Sequence, residues 1–169
     1  LSAAEQVELV VFRVGSEDYA LDLAEVREVT RAPQIVPLAS PAAPAVGVGG
    51  EGDEWILLVS ARERLGLPDE ELTFQRMIVA RLPGGLEIGL LVERVREVVT
   101  LSRDDLLPPP AIFGESGASR VRSLVRLPGD RLLLLVSMED LFSSPEVERL
   151  EAAERDRRAN GNPDQGGRE

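Results

Sequence analysis

Side chains that commonly carry out catalysis are scarce in this chain of 169 residues, which holds no His and no Cys. Nucleophile-base pairs built on those residues are excluded, as are most zinc sites. Ser60 and Ser137 stand at the ends of apolar runs. A serine becomes a nucleophile only beside a general base, and neither has one written nearby, so both read as turn residues. The acidic pairs Asp53-Glu54 and Asp104-Asp105 could in principle hold a hard cation. Neither has the ligand spacing of a calcium loop, and solvated turn carboxylates are the better reading. Val46 to Gly50 alternates Val and Gly, yet no Lys-Ser/Thr follows and no helix opens on it, so it is not a phosphate loop. No metal and no cofactor is expected.

Composition narrows the alternatives further. The chain is 43% hydrophobic but only 4% aromatic, so its core is built from Val, Leu and Ile, which suit a pleated surface. The net charge is −11 and every basic residue is an Arg, with no basic stripe to follow a phosphate backbone. Nucleic acid is a poor partner for such a surface. The apolar stretches are too short to span a bilayer, and Leu1 to Glu8 shows neither the positive nor the apolar region of a secretory signal. A cytoplasmic location is the expectation.

The elements that would position a site are set out twice. Val-Arg-Glu-Val occurs at Val26 to Val29 and again at Val95 to Val98. Val10 to Val14 leads into the first copy and Ile78 to Leu82 into the second, each followed by a Gly turn and a short apolar strand. Leu57-Leu58-Val59-Ser60 is echoed by Leu134-Leu135-Val136-Ser137. Matched segments in the same order argue for duplication of one module. The spacing predicts a hairpin from Val7 to Leu23, with Tyr19, Leu21 and Leu23 alternating, and a helical turn capped by Asp22. Four prolines between Ala32 and Pro44 exclude a helix there. Val46 to Gly52 reads as a flexible hairpin loop, having little side-chain volume. A second hairpin is expected from Met77 to Val92 and a third about Gly129-Asp130. The halves are expected at 7–71 and 72–143, with a helix at 144–159 started by Ser144-Pro145-Glu146 and a disordered tail at 160–169.

Val11-Phe12-Arg13-Val14-Gly15, Tyr19 to Leu23, Val26 to Val29, Ile35-Val36-Pro37, Leu65-Gly66-Leu67, Ile88 to Glu93 and Asp130 to Val136, in that order, resemble the CheW family. The resemblance runs from about Val7 to Phe142. It implies a mainly β fold of two tandem five-stranded SH3-like barrel subdomains, with short helical turns and a C-terminal helix. It also implies a non-enzymatic adaptor of bacterial chemosensory arrays, joining the cytoplasmic tip of a chemoreceptor to the regulatory domain of a CheA-type histidine kinase. Receptor-binding positions of the family match Val26, Glu28, Val29, Val95 and Val98. Kinase-binding positions match Ile35, Val36 and Gly47. A Val-floored groove margined by charge would suit an amphipathic helix, although read from the residues alone these valines equally fill their own barrels.

The chain departs from the family at one place. Relatives carry Asn-Leu-Arg-Gly where Gly50-Glu51-Gly52-Asp53 stands here, so an Arg is lost and two acids are gained. A charge-assisted hydrogen bond from such an Arg is worth about 1.5 to 3 kcal/mol. The alternative is therefore a divergent CheW-like module that binds the kinase, or other CheW-like barrels, without conventional receptor binding.

Overall fold

The computed structural model describes residues 5–38, 42–68, 74–109 and 120–160. Its strands are β1 (Gln6–Val14), β2 (Glu17–Asp22), β3 (Val26–Arg31), β4 (Ala45–Glu51), β5 (Glu54–Ser60), β6 (Arg76–Arg81), β7 (Glu87–Val92), β8 (Arg94–Ser102), β9 (Leu106–Leu107), β10 (Ser123–Leu127) and β11 (Arg131–Leu135). Short helices α1 (Ala61–Arg64) and α2 (Met138–Leu141) follow β5 and β11, and α3 (Ser144–Asn160) closes the described chain. The fold is mainly β, with two SH3-like subdomains, as the resemblance implies.

The strands form two sheets. Sheet I has the order β8-β1-β2-β11-β10-β9, and sheet II the order β3-β6-β7-β5-β4. Neither lies within 7–71 or within 72–143. The first two strands of each copy leave their own half and sit between the third and fifth strands of the other. The subdomains in space therefore run across the sequence halves. This exchange is reciprocal: β1 pairs β8 antiparallel and β11 pairs β2 parallel, while β3 pairs β6 antiparallel and β5 pairs β7 parallel. Long-range pairing of this kind leaves no local pattern in a sequence.

Three apolar clusters follow from the arrangement. Phe12, Leu21 and Leu134 of sheet I meet Leu57, Ile78 and Leu90 of sheet II in a central core. A second core on sheet I holds Val7, Leu9, Val11, Ala20, Val125, Leu133 and Leu135. The matching cluster on sheet II is smaller, with Leu58, Met77, Val79 and Leu91. Because β2 lies inside sheet I between two cores, Tyr19, Ala20 and Leu21 are all buried rather than alternating, and Leu23 belongs to the turn after it. That turn, Leu23 to Glu25, is capped as expected by the Asp22 carboxylate, which accepts from the Ala24 amide at 2.9 Å.

Val46 to Gly50 is a strand and not a flexible loop. It lies in β4, paired along its length with β5. Its glycines serve close packing: a Cβ at Gly49 would lie 2.5 Å from Pro33 Cγ and 2.9 Å from Leu58 Cδ1, and one at Gly50 would overlap the Glu54 backbone. Low side-chain volume here admits neighbouring chain; it does not signal mobility. The C-terminal helix forms, anchored by the fully buried Leu150, but its cap is Ser143 and not Ser144: the Ser143 hydroxyl accepts from the Glu146 amide at 3.3 Å and the Ser143 amide donates to the Glu146 carboxylate at 2.8 Å. The tail expected from Asn160 lies, beyond that residue, outside the described residues.

Candidate functional site

The repeated tetrapeptides open β3 and β8, which are outer strands of sheets II and I. Their pairing is the same to the residue. Val26 faces Ala80, Glu28 faces Val79 and Val29 faces Ile78; Val95 faces Phe12, Glu97 faces Val11 and Val98 faces Val10. In both, the Arg is the extra residue of a β-bulge. Val26 and Val95 pack against the central core, whereas Val29 and Val98 are 40% and 53% exposed. Glu28 is exposed beside Val29. The valines thus divide between filling the core and facing outward.

The bulge places each Arg in a repeated charge set. On sheet I, Arg13 and Arg96 share Asp18 at 3.5 and 3.8 Å. On sheet II, Arg81 and Arg27 share Glu87 at 3.9 and 3.4 Å. On sheet I Arg131 joins the set, reaching Asp18 at 3.7 Å and Glu97 at 2.7 Å, whereas on sheet II Arg27 itself reaches Glu28 at 3.1 Å. By register Arg131, opposite Leu127 at the start of β11, corresponds to Glu54, opposite Glu51 at the start of β5. The acid matching Glu97 is Glu28, so on sheet II the cross-sheet partner is another acid.

A concavity of about 970 Å3 opens over sheet II. Ile56, Met77 and Val79 contribute to its floor, Trp55 and Pro33 to its wall, and Glu154 and Arg158 of α3 to its lip. The indole N–H of Trp55 donates to the Gly52 carbonyl at 2.9 Å. The duplication explains the hollow. Sheet I fills the same space with Val99, Leu101 and Leu127, and the register equivalents on sheet II are Thr30, Ala32 and Glu51; Val125 corresponds to Gly49, over which Pro33 packs instead. Six carboxylates line it (Glu28, Glu51, Asp53, Glu54, Glu87 and Glu154) against the guanidiniums of Arg27, Arg31 and Arg158. No residue of β8 is among the described residues lining it, so Val95 and Val98 lie apart from this hollow.

Ile35, Val36 and Gly47 gather at the other edge of sheet II. Val36 and Val48 exchange both backbone hydrogen bonds at 2.8 Å, extending the sheet beyond β4. Gly47 admits this approach, since a Cβ there would lie 2.8 Å from Ile35 Cγ2. Ile35 and Val46 are each 36% exposed and form a small apolar rim.

The polar groups elsewhere are structural. Ser60 accepts from the Glu63 amide and Ser137 from the Asp140 amide, each at 3.2 Å, so both cap short helices as expected of turn residues. Glu93, between the sheets, accepts from the Gly15 amide and pairs with Arg62, itself donating to the Pro68 carbonyl. Glu25 reaches across in the other direction and accepts from the Met138 amide at 3.0 Å; burial pushes its pKa up, against the effect of that hydrogen bond. Arg64 joins α1 to α3 through Glu146 at 2.8 Å. Among the described residues, no group of three or more acidic side chains is placed to hold a metal ion. No helix among them is long and apolar enough to cross a membrane.

Sequence reading missed Arg131, Glu54, Thr30 and Ala32. The signal was present in the second half of each copy, but aligning it requires the strand register.

Comparison with known proteins agrees with this geometry. Residues 8–146 match the CheW-like domain. "Chemotaxis protein CheW" of Rhizobium meliloti (strain 1021) is 29% identical over 141 residues, covering 83% of this chain and 90% of that protein. The protein of the same name from Treponema pallidum (strain Nichols) is 27% identical over 153 residues, covering 86% and 88%. The crystal structure of the scaffolding protein TtCheW from Thermoanaerobacter tengcongensis superposes with a TM-score of 0.70 at 22% identity, covering 84% of this chain and 96% of that one. With a family match across most of its length and two exchanged β subdomains, the chain belongs to the CheW-like domain family.

Proposed function

We propose that this protein is a non-enzymatic cytoplasmic adaptor of a bacterial chemosensory array, coupling the tip of a chemoreceptor to the regulatory domain of a CheA-type histidine kinase. The observation that carries the reading is the presence, on one CheW-like fold, of two separate exposed apolar edges. Val29 with Glu28 lies on β3, and Ile35 with Val46 lies beside β4. Two edges on opposite sides of one sheet suit a protein that holds two partners at once. The receptor tip is assigned to Val26, Glu28 and Val29 with Val95 and Val98, and the kinase to Ile35, Val36 and Gly47. Pull-down with a receptor-tip fragment and with the kinase regulatory domain tests it. Retention of both is expected, and retention of neither contradicts the adaptor role.

The acidic β4–β5 tip favours a second reading, a CheW-like module that holds the kinase or another CheW-like barrel and no conventional receptor. Glu51, Asp53 and Glu54 stand exposed there, three acids on one hairpin. Kinase retention without receptor-tip retention would select it.

A further inference from the structure

We infer that the hollow over sheet II is a docking site for one face of an amphipathic helix carrying large aliphatic side chains flanked by Arg or Lys. The inference rests on the adaptor reading and extends it, since of the residues assigned to the receptor tip the hollow shares only Glu28.

The internal duplication supplies the apolar half of the argument. Sheet I shows how the space is filled when no partner is needed: Val99, Leu101 and Leu127 pack against the buried Leu9, Val11 and Val125. On sheet II the matched Thr30, Ala32 and Glu51 line an open concavity whose floor is Ile56, Met77 and Val79. At three matched positions sheet II thus carries a smaller or polar side chain where sheet I carries a large aliphatic one, while the place of Val125 is taken on sheet II by Pro33 against Gly49. A helix laying leucines into the gap would supply the missing apolar volume.

The charge half is independent. Glu97 on sheet I is neutralised within the molecule by Arg131. Its equivalent Glu28 shares the concavity with Glu54, Glu51 and Asp53, and among the described residues none of these last three has an ion pair. The lining basic groups are largely committed: Arg27 to Glu28 and Glu87, and Arg158 to Glu154. A partner cation seated between Glu28 and Glu54 would stand where Arg131 stands on the other sheet. The acids of this hairpin would then set the charge of the partner it selects.

The test uses the full chain and two labelled helical peptides with the same leucine face, one flanked by Arg and one by Glu, in fluorescence anisotropy. The Arg peptide is expected to bind at least about tenfold more tightly, with the preference shrinking as salt rises. Ala32→Leu, which fills the hollow as Leu101 fills its counterpart, is expected to abolish binding of the Arg peptide. Glu54→Arg, which supplies the internal counter-ion, is expected to remove the charge preference. Equal binding of the two peptides, binding of neither, or binding indifferent to both substitutions overturns the inference. Should Ala32→Leu fail to fold, the charge comparison on the unaltered protein still decides. None of these failures touches the adaptor reading, which stands or falls on retention of the receptor-tip fragment and the kinase domain.

Discussion

Val26 and Val95 turn into the central core, while Val29 and Val98 on the same strands face outward, and between them each Arg occupies a bulge and each Glu the exposed edge. The bulge is what separates these roles: one extra residue shifts the alternation, so two valines three positions apart do not compete for one face. Glu28 is accordingly exposed and, among the described residues, pairs only with its exposed neighbour Arg27 at 3.1 Å, whereas Glu97 is held across the sheet by Arg131 at 2.7 Å. Glu28→Arg is expected to leave the melting temperature within a few degrees, as surface charge changes generally shift stability by less than about 0.5 kcal/mol. The same substitution is expected to weaken receptor-tip binding about tenfold or more. Thermal denaturation and binding titration on one preparation check both, and an unfolded variant would mean that Glu28 is structural.

At the level of elements, β4 and α3 frame the hollow from opposite sides. Gly49→Val would place a branched side chain against Pro33 and Leu58, where a Cβ alone would already lie at 2.5 and 2.9 Å. Overpacking of this kind costs about 1 to 3 kcal/mol, and chemical denaturation should show it. Helix α3 has no amphipathic pattern strong enough to stand alone. It is held by Leu150, which is fully buried, and by Glu146, which pairs with Arg64 of α1, while Glu154 pairs with Arg157 and Arg158 along the helix itself. Leu150→Ala is expected to cost about 2 to 5 kcal/mol, read as a lowered denaturation midpoint.

These glutamates make α3 pH-sensitive, Glu154 through the helix itself and Glu146 through its attachment to α1. For Glu154 burial raises the pKa, but hydrogen bonds from Arg157 and Arg158 and their charges outweigh it, and the net shift is downward. Glu146 behaves likewise, with burial opposed and exceeded by the Ser143 amide and Arg64. A carboxylate with a lowered folded pKa stabilises the fold above its unfolded pKa and ceases to do so as pH falls through the folded value. Amide-exchange protection in α3 is therefore expected to be full at neutral pH and to fall on acidification below the ordinary glutamate range. Protection that rose on acidification would contradict the role given to these pairs.

Across the whole molecule, the duplication was legible in sequence and its consequence was not. Val-Arg-Glu-Val, the preceding strands and the Leu-Leu-Val-Ser echo all mark two copies, and the hairpins, the Asp22 cap and the Ser144 helix start follow from local chemistry. The exchange of the first two strands between copies involves pairings such as Val10 with Val98, far apart in the chain, which no local pattern encodes. Val46 to Gly50 misled because glycine lowers side-chain volume in a mobile loop and in a tightly approached strand alike. The site was half legible. The exposed Glu28 and Val29 were named, but the hollow emerges only when Thr30, Ala32 and Glu51 are set against their partners on sheet I.

The central claim is that one sheet presents two partner surfaces, and amide chemical-shift mapping on the isotope-labelled full chain addresses it most directly. Addition of a receptor-tip fragment is expected to perturb Glu28, Val29 and the Glu51 to Trp55 turn, and addition of the kinase regulatory domain to perturb Ile35, Val36 and Gly47, with the two responses additive when both are present. Perturbation of neither set, or displacement of one partner by the other from a single shared set, would contradict the claim.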